Sequence, residues 1–452
     1  MESTDTIVGI ATALGAGGVA IVRLSGSRAV ELFERVFRSR AYQPPYESHR
    51  LMVGTLTDGD QPVDQVMGVV MLAPKSYTRE DVCEIHTHGG HVAAALAVKL
   101  LVRLGARPAQ AGEFTRRAFL NGRIDLAQAE AVMGVISAQS AAALKAEEAQ
   151  LMGGQSRFVS QAQEDLLALL AALEAHIDYP EEISQEEAME GLAAGLQGLM
   201  ERLGAAIDQR SARILREGLR VALCGRPNAG KSTLFNALLG EERAIVTAVP
   251  GTTRDALHGT FSLENGLCVH VTDTAGLRES GDEVERIGVE RAWQEVAQAD
   301  VALLVVDASQ ALSQEEREMI RTPLPCPSAV LLNKEDLRFA LGTREVADLA
   351  GERPVLQVSA KTGAGLKEVR AYLQGFAQVP QQLLLTHERH MAAAREALEK
   401  LAQAKEALES GQPMDFVAVD MHDALYLLGR ITGESVDEKL LDDIFSRFCV
   451  GK

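Results

Sequence analysis

A nine-residue stretch, Gly225 to Thr233, constrains this chain more than any other feature of its sequence. It reads Gly-Arg-Pro-Asn-Ala-Gly-Lys-Ser-Thr, which has the spacing of a phosphate-binding loop. An apolar, strand-like run precedes the stretch and a helix-like run follows it, and this is the setting that the motif requires. Backbone N–H groups of such a turn surround the β-phosphate, while Lys231 supplies charge to the phosphates and the Ser232 hydroxyl ligates Mg²⁺. The stretch therefore predicts a nucleotide-binding α/β domain.

Composition limits what the rest of the chain can be. The 452 residues are enough for about two to four domains, and 46% hydrophobic residues with 24% charged residues are typical of a globular protein. No apolar run approaches the roughly 20 residues of a membrane span, and the polar, acidic N-terminus does not fit a signal peptide. Five scattered cysteines without a Cys-x-x-Cys pair favour a reducing compartment, so we expect a cytoplasmic protein.

The charge is unevenly distributed. A net charge of −18 argues against a protein coated in basic surface for nucleic acid. Residues 1–118, however, carry 13 Lys and Arg against 12 Asp and Glu, so the acidic excess lies in the rest of the chain. A local contact with nucleic acid therefore remains open.

The pattern of the sequence changes three times and predicts a multidomain α/β protein. We expect an N-terminal α+β domain over 1–118, a helical domain over 119–215, an inserted Ras-like P-loop domain over 216–377, and the rest of the helical domain over 378–452. Strands are predicted over 18–26, 66–72, 219–224, 267–272, 301–306, 329–332 and 355–358. Helices are predicted over 92–104, 125–152, 160–177, 187–215, 232–239, 388–408, 417–428 and 436–448.

Four further elements follow the phosphate-binding loop in the order that a GTPase needs. Thr253 can close over the γ-phosphate and ligate Mg²⁺, and Asp273, at the end of a strand, can hold the metal through water. The Asp336 carboxylate can accept hydrogen bonds from N1–H and the 2-amino group of guanine, neither of which adenine offers there. The run from Ser359 to Lys361 then supports the base. Together the five elements predict GTP binding.

Two positions indicate which kind of GTPase the predicted domain is. Leu277 stands where many signalling GTPases carry the glutamine that orients the attacking water, so that help must come from elsewhere. Asn228, within the loop, is either a turn residue or a ligand for a monovalent cation.

The histidines His86, His88 and His91 suggest a metal site, but no Cys, Asp or Glu completes a tetrahedral set, so we favour a glycine-rich loop entering a helix.

Beyond the GTPase elements, the whole chain resembles the bacterial tRNA-modification GTPases of the MnmE (TrmE) family. The matching runs outside the GTPase elements are 5–8, 17–23, 80–82, 88–90, 112–114, 118–126 and the terminal Phe-Cys-Val-Gly-Lys of 448–452. The resemblance implies a folate-binding-like N-terminal domain that forms a constitutive homodimer. It also implies a FAD-containing partner, MnmG (GidA), with which the family adds an aminomethyl or carboxymethylaminomethyl group to C5 of the wobble uridine of certain tRNAs. The implied one-carbon donor is 5-formyltetrahydrofolate or another tetrahydrofolate.

The resemblance also assigns residues to these roles. The residues predicted to bind GTP are Asn228, Ala229, Gly230, Lys231, Ser232, Thr233, Thr247, Ala248, Val249, Pro250, Gly251, Thr252, Thr253, Asp273, Thr274, Ala275, Gly276, Asn333, Lys334, Asp336, Ser359, Ala360 and Lys361. The Mg²⁺ ligands are Ser232 and Thr253. The implied K⁺ ligands, which act when two G domains meet, are Asn228, Thr247, Val249 and Thr252. The implied folate contacts are Arg23, Glu80, Arg123 and Lys452.

Two more residues are implied to take part in catalysis. Glu285 replaces the missing glutamine in the family, although without the resemblance it reads as a solvated acid on a loop. Cys449, in the Cys-x-Gly-Lys tail, is implicated in the modification chemistry, although one cysteine near a C-terminus is usually a small apolar residue. The alternative function is a regulatory or ribosome-assembly GTPase without modification chemistry. The neutral N-terminal domain and the C-terminal tail favour the modification enzyme over it.

Overall fold

The structure is a computed structural model that describes residues 5–13, 15–178, 185–240, 257–273, 295–337, 340–378 and 384–451. The strands are β1 Ile7–Ile10, β2 Val19–Ser25, β3 Phe37–Arg38, β4 Met52–Asp58, β5 Gln61–Met71, β6 Val82–His88, β7 Arg107–Pro108, β8 Leu219–Cys224, β9 Leu257–Ser262, β10 Cys268–Asp273, β11 Val301–Asp307, β12 Ser328–Asn333 and β13 Val355–Gln357. The helices are α1 Ala29–Val36, α2 His91–Arg103, α3 Glu113–Leu120, α4 Leu126–Ser137, α5 Ala141–Leu151, α6 Gly154–Asp178, α7 Gln185–Ala205, α8 Gln209–Glu217, α9 Lys231–Gly240, α10 Gln314–Arg321, α11 Thr343–Ala350, α12 Leu366–Phe376, α13 Glu388–Glu409, α14 Met414–Thr432 and α15 Glu438–Ser446.

The chain forms two compact units. The first consists of Met1–Ile136, Ala149–Met200 and Ala393–Lys452, and the second of Ser137–Glu148 and Glu201–Ala392. The predicted multidomain α/β class, with an α+β N-terminal part, helical segments and an inserted α/β part, is confirmed. The domain limits that we drew within it stay predictions.

The first unit contains a seven-stranded sheet in the order β3-β4-β5-β6-β2-β1-β7. Its pairings are antiparallel except for β1 with β7. Alternate residues of β2 and β6, such as Val22 and Ile85, are buried in a core that includes residues of α1 and α2. Because side chains alternate along a strand, Arg23 and Glu84 lie on the opposite face, directly across from each other in the register.

The helices of the first unit bury a second set of apolar residues. Helix α6 contributes Leu166 and Leu170, and helix α14 contributes Met421 and Leu428. Helix α15 packs Phe445 and its neighbours on α4. The C-terminal tail then returns to the N-terminal part of the chain through an isolated bridge that pairs residue 111 with residue 450.

The second unit contains a six-stranded sheet in the order β13-β12-β11-β8-β10-β9, parallel except for β9. Helices α9 and α12 bury apolar side chains in one core, and α10 and α11 in another. Strands β11 and β12 are apolar along almost their whole length because helices cover both of their faces. The sheet's strands β8, β10, β11 and β12 end where the phosphate-binding loop and the acidic and amide residues of the motifs begin.

The predicted strands and most predicted helices match the structure, and two of the differences have local causes. The helix predicted over 125–152 is two helices, because Ser140 Oγ accepts a hydrogen bond from Ala143 N and begins α5. The helix over 187–215 is likewise interrupted, because Asp208 accepts from Ser211 N and begins α8. The loop that we predicted at His86 and His88 is wrong, because both residues lie on β6 and pair with Ile21 and Val19 of β2.

No helix among the described residues is long and apolar enough to cross a membrane.

Candidate functional site

The phosphate-binding loop connects β8 to α9, and its glycines are required by close backbone approaches. Gly225 has φ 139°, and a Cβ there would lie 2.2 Å from the Val305 carbonyl oxygen of the neighbouring strand. Gly230 has φ 94°, and its Cβ would lie 2.3 Å from Asn333 Nδ2. Asn228 also adopts a left-handed conformation, with φ 64°. Such a turn presents successive backbone N–H groups to an anion.

The first two side chains of α9, Lys231 and Ser232, lie beside the phosphate-binding loop and the end of β10. Lys231 is buried, and its ammonium donates to the carbonyl oxygens of Gly225 and Arg226 at 2.6 and 2.8 Å. Ser232 Oγ donates to Asp273 Oδ2 at 2.7 Å, and Asp273 is fully buried at the end of β10. A hydroxyl and a carboxylate at this distance form an oxygen donor pair that suits Mg²⁺.

Asn333, at the end of β12, joins three of the sequence motifs. Its side-chain nitrogen donates to the Ala229 carbonyl in the loop at 2.9 Å, and its side-chain oxygen accepts from Ala360 N at 3.0 Å. Ser359 Oγ in turn donates to Asp336 Oδ1 at 2.7 Å. Asn333 is buried, whereas the Asp336 carboxylate is exposed and open to a ligand. The structure therefore brings the phosphate-binding loop and both predicted base-binding segments together.

The structure adds a pair that the sequence did not single out. Lys334 donates to Asp307, which ends β11, and Ser309 Oγ donates to the same carboxylate at 2.6 Å. Burial acts to raise the pKa of Asp307, but the hydrogen bonds from Lys334 and Ser309 outweigh burial and hold that pKa below its usual value. The pair fixes the Lys334 side chain at the rim of the candidate nucleotide site. The signal in the sequence was an aspartate directly after a buried strand.

The structure describes some of the residues singled out from the sequence and not others. Those that lie outside the described residues are Thr247, Ala248, Val249, Pro250, Gly251, Thr252, Thr253, Thr274, Ala275, Gly276, Leu277, Glu285 and Lys452. Thr233 and Lys361 are described and are exposed at the ends of the two motifs that contain them.

A second candidate site lies on the first unit, around the ring of Tyr77. The guanidinium carbon of Arg23 lies 5.5 Å from the centre of this ring, and that of Arg123 lies at the same distance. Arg23 also lies 5.7 Å from the centre of the Phe114 ring, and Arg123 donates to the Ser76 carbonyl. Two predicted folate contacts therefore share one aromatic side chain. Sequence reasoning missed Tyr77 because nothing in its local pattern marks it.

The other residues predicted for the first unit have different environments. Glu80 accepts from Ser25 Oγ at 2.6 Å and from Arg117 Nη1 at 3.2 Å, and this buried arginine also pairs with Asp5 and Glu113. Cys449 is exposed, and its carbonyl accepts from Gly112 N at 3.4 Å. Each of the five cysteines is free of a disulfide.

Two of the three histidines have an acidic hydrogen-bond partner. His86 Nε2 lies 3.2 Å from Glu84 Oε2, and His88 Nδ1 lies 2.7 Å from Asp64 Oδ1. Across the described part of the chain, no group of three or more His, Cys, Asp or Glu residues is arranged to hold a metal.

Two models of known protein families match the chain. The model of the MnmE helical domain matches residues 126–449, and that of the GTP-binding protein TrmE N-terminus matches residues 6–123. Together they account for nearly the whole chain.

Full-length relatives agree with the family models. The tRNA modification GTPase MnmE of Heliobacterium modesticaldum is 43% identical over 464 residues, covering 99% of both chains. That of Symbiobacterium thermophilum is 44% identical over 458 residues, again covering 99% of both. A solved structure of Aquifex aeolicus Era bound to GDP and AlF4⁻ aligns with 40% of this chain and 66% of its own at 28% identity, but its TM-score of 0.29 is too low to support an argument. The chain belongs to the family of tRNA modification GTPases called MnmE.

Proposed function

We propose that the chain is a GTP-hydrolysing enzyme of tRNA modification. In this proposal it acts with the FAD-containing partner MnmG to add an aminomethyl or carboxymethylaminomethyl group to C5 of the wobble uridine of certain tRNAs. The observation that carries the GTPase part is the position of Asn333, which is hydrogen-bonded to both the phosphate-binding loop and the base-binding segment. Family membership supports tRNA as the substrate. A cytoplasmic location, predicted from the unpaired cysteines, belongs to the same proposal.

The described residues fit a magnesium nucleotide. The Ser232 hydroxyl and the Asp273 carboxylate, 2.7 Å apart, would hold Mg²⁺ directly and through water, with Thr253 as a further ligand from outside the described residues. Mg²⁺ supplies charge neutralisation at the phosphates. The Lys231 ammonium, now bound to two loop carbonyls, would lie beside the β- and γ-phosphates. Asp336, steadied by Ser359, would accept the two donors of the guanine base.

Potassium and a second copy of the G domain would complete the hydrolytic site. The Asn228 carboxamide has no hydrogen-bond partner among the described residues, and its left-handed backbone holds it within the phosphate-binding loop. It is therefore available to bind K⁺ together with Thr247, Val249 and Thr252. The ion would supply the positive charge that an arginine finger supplies elsewhere, and Glu285 would orient the attacking water in place of the absent glutamine.

Substitution of Asn228 tests the potassium role. Because glycine tolerates a positive φ, Asn228→Gly removes the carboxamide without straining the turn. We expect wild-type hydrolysis to be faster in KCl than in NaCl of equal ionic strength, and the variant to lose most of this difference. Equal stimulation of both proteins by KCl would remove Asn228 from the proposal.

Folate binding is proposed at Arg23, Glu80, Arg123 and Lys452. The two arginines that contact Tyr77 provide cations for the folate carboxylates, and the half-buried ring of Tyr77 provides surface for its pterin or benzoyl ring. Glu80 would accept from the pterin with the oxygen lone pairs that Ser25 and Arg117 leave open. Lys452 itself is not described, but the chain at residue 450 is paired with residue 111 of the same unit.

Binding of 5-formyltetrahydrofolate by the full-length protein separates this function from that of a ribosome-assembly GTPase. Titration calorimetry should show binding to the wild type and a loss of about tenfold or more for Arg23→Ala, since one charged hydrogen-bonded pair is worth about 1.5–3 kcal/mol. A protein that hydrolyses GTP but binds no folate would favour the assembly GTPase.

Cys449 belongs to the modification chemistry in this proposal. Its side chain is exposed, as a reacting group must be, and Gly112 N fixes the backbone of its residue. Cys449→Ser should leave GTP hydrolysis unchanged and abolish tRNA modification. Modification at the wild-type rate by this variant would exclude the role.

A further inference from the structure

The sheet face that presents Arg23 also carries an acid and a histidine for which neither motif nor family resemblance gave a role. Glu84 lies opposite Arg23 in the pairing of β2 with β6, and His86 follows Glu84 on the same face of β6. We propose that Glu84 and His86 are positioning residues, which orient the Arg23 guanidinium to receive a carboxylate of the ligand. This inference rests on the folate binding proposed above.

The hydrogen bonds of Arg23 leave its two η nitrogens available to a ligand. Arg23 Nε donates to Glu84 Oε1 at 2.8 Å, and the structure gives the two η nitrogens no partner among the described residues. The guanidinium is also confined by two rings, since its carbon lies 5.5 Å from the centre of Tyr77 and 5.7 Å from that of Phe114. A guanidinium that is hydrogen-bonded at Nε and confined by two rings points its two η nitrogens in a fixed direction. That fork matches the two oxygens of a carboxylate.

His86 completes the arrangement by fixing Glu84. Its Nε2 lies 3.2 Å from Glu84 Oε2, so that each oxygen of the carboxylate has its own donor. Neighbouring strands place Ile21 and Met67 beside His86. The three polar side chains are only 13–21% exposed, so their interactions are less screened than those of a surface pair.

The charge state of Glu84 agrees with this role. Burial acts to raise its pKa, but hydrogen bonds from His86 and Arg23 and the charge of Arg23 outweigh burial and hold the pKa below its usual value. Glu84 is therefore a carboxylate at neutral pH and accepts from both neighbours.

The chain provides a matched control. His88 is on the same strand two residues further on, but it is 73% exposed and contacts Asp64 instead of Glu84. Replacement of either histidine by Gln removes an imidazole and leaves a polar side chain. Only the replacement of His86 removes a contact to Glu84, the carboxylate that accepts a hydrogen bond from Arg23.

The test is the affinity of the full-length protein for 5-formyltetrahydrofolate, measured by titration calorimetry. We expect Glu84→Gln to raise the Kd about tenfold, because it weakens a charged hydrogen bond that holds the binding group. His86→Gln should raise the Kd about threefold, the smaller effect expected of a residue that acts through a second one, and His88→Gln less than twofold. If Glu84→Gln does not fold, Glu84→Asp keeps the charge but shortens the reach to Arg23, and it too should raise the Kd.

A double-mutant cycle distinguishes positioning from a general structural effect. In an Arg23→Ala background, Glu84→Gln should no longer change the Kd, because the group that it positions is gone. If Glu84→Gln leaves the Kd unchanged in the wild-type background, or raises it equally in both backgrounds, the inference is wrong. If instead Arg23→Ala does not change the Kd, the proposed folate site itself is wrong.

Discussion

Gly225→Ala perturbs the phosphate-binding loop at the glycine of this loop where an added Cβ has least room. The residue has φ 139°, a conformation that side chains with a Cβ rarely adopt, and the new Cβ would lie 2.2 Å from the Val305 carbonyl oxygen. Backbone strain of this kind costs about 1–3 kcal/mol. The overlap with a backbone oxygen of a central strand adds to it, because neither β8 nor β11 can move without disturbing the buried sheet. We expect a total loss of about 3 kcal/mol in the unfolding free energy of the second unit.

Thermal unfolding followed by calorimetry measures this loss. For a unit of this size, a loss of 1 kcal/mol lowers the Tm by about 2–4 °C. The Tm of the second unit, which is identified as the unfolding transition that GDP shifts to higher temperature, should therefore fall by about 6–12 °C. GDP binding, followed by fluorescence of a labelled nucleotide, should weaken as well because the loop is displaced.

Gly342→Ala is the control for this prediction. Gly342 lies in the same unit with φ −77°, and a Cβ there would meet nothing within 4 Å. Its replacement should leave GDP binding unchanged and alter the unfolding free energy by no more than about 1 kcal/mol, because the reduced freedom of the unfolded chain is opposed by the loss of glycine at the N-cap of α11. Equal Tm values and GDP affinities for Gly225→Ala and the wild type would refute the account of the loop.

Three further predictions concern the same unit. Asp336→Asn should weaken GTP binding at least about a hundredfold and favour xanthosine triphosphate, whose 2-oxo group can accept from the amide, as competition binding would show. Ser232→Ala removes the hydroxyl that lies 2.7 Å from Asp273, so half-maximal hydrolysis should need about tenfold more Mg²⁺ in a titration. The lowered pKa of Asp307 means that its pair with Lys334 stabilises the fold fully above the usual carboxyl pKa and loses this effect as pH falls through the lowered value. Asp307→Asn should therefore reduce the Tm at pH 7 and flatten its decline in acid, whereas parallel curves for both proteins would contradict this.

The parts predicted correctly from sequence depend on residues that are neighbours in the chain. The loop from Gly225 to Thr233 has a fixed spacing, and β8 and α9 formed on either side of it where expected. The missed helix breaks at Ser140 and Asp208 had a local signal as well, since both residues begin a helix with a side chain that accepts from the backbone three residues on.

What the sequence could not predict depends on contacts across strands. The pairing of Arg23 with Glu84 requires the register of β2 against β6, and a slip of one residue would place Glu84 in the core. The role of Tyr77 requires segments far apart in the chain to meet, as its contacts with Arg23 on β2 and with Arg123 show. Spacing along one chain carries neither kind of information.

Nucleoside mass spectrometry of tRNA from cells that lack this protein tests the central claim most directly. The account predicts that C5-modified wobble uridines disappear, and that the wild-type gene restores them whereas a Lys231→Ala variant, without the phosphate-binding ammonium, does not. A wobble-uridine profile unchanged by loss of the protein would contradict the account.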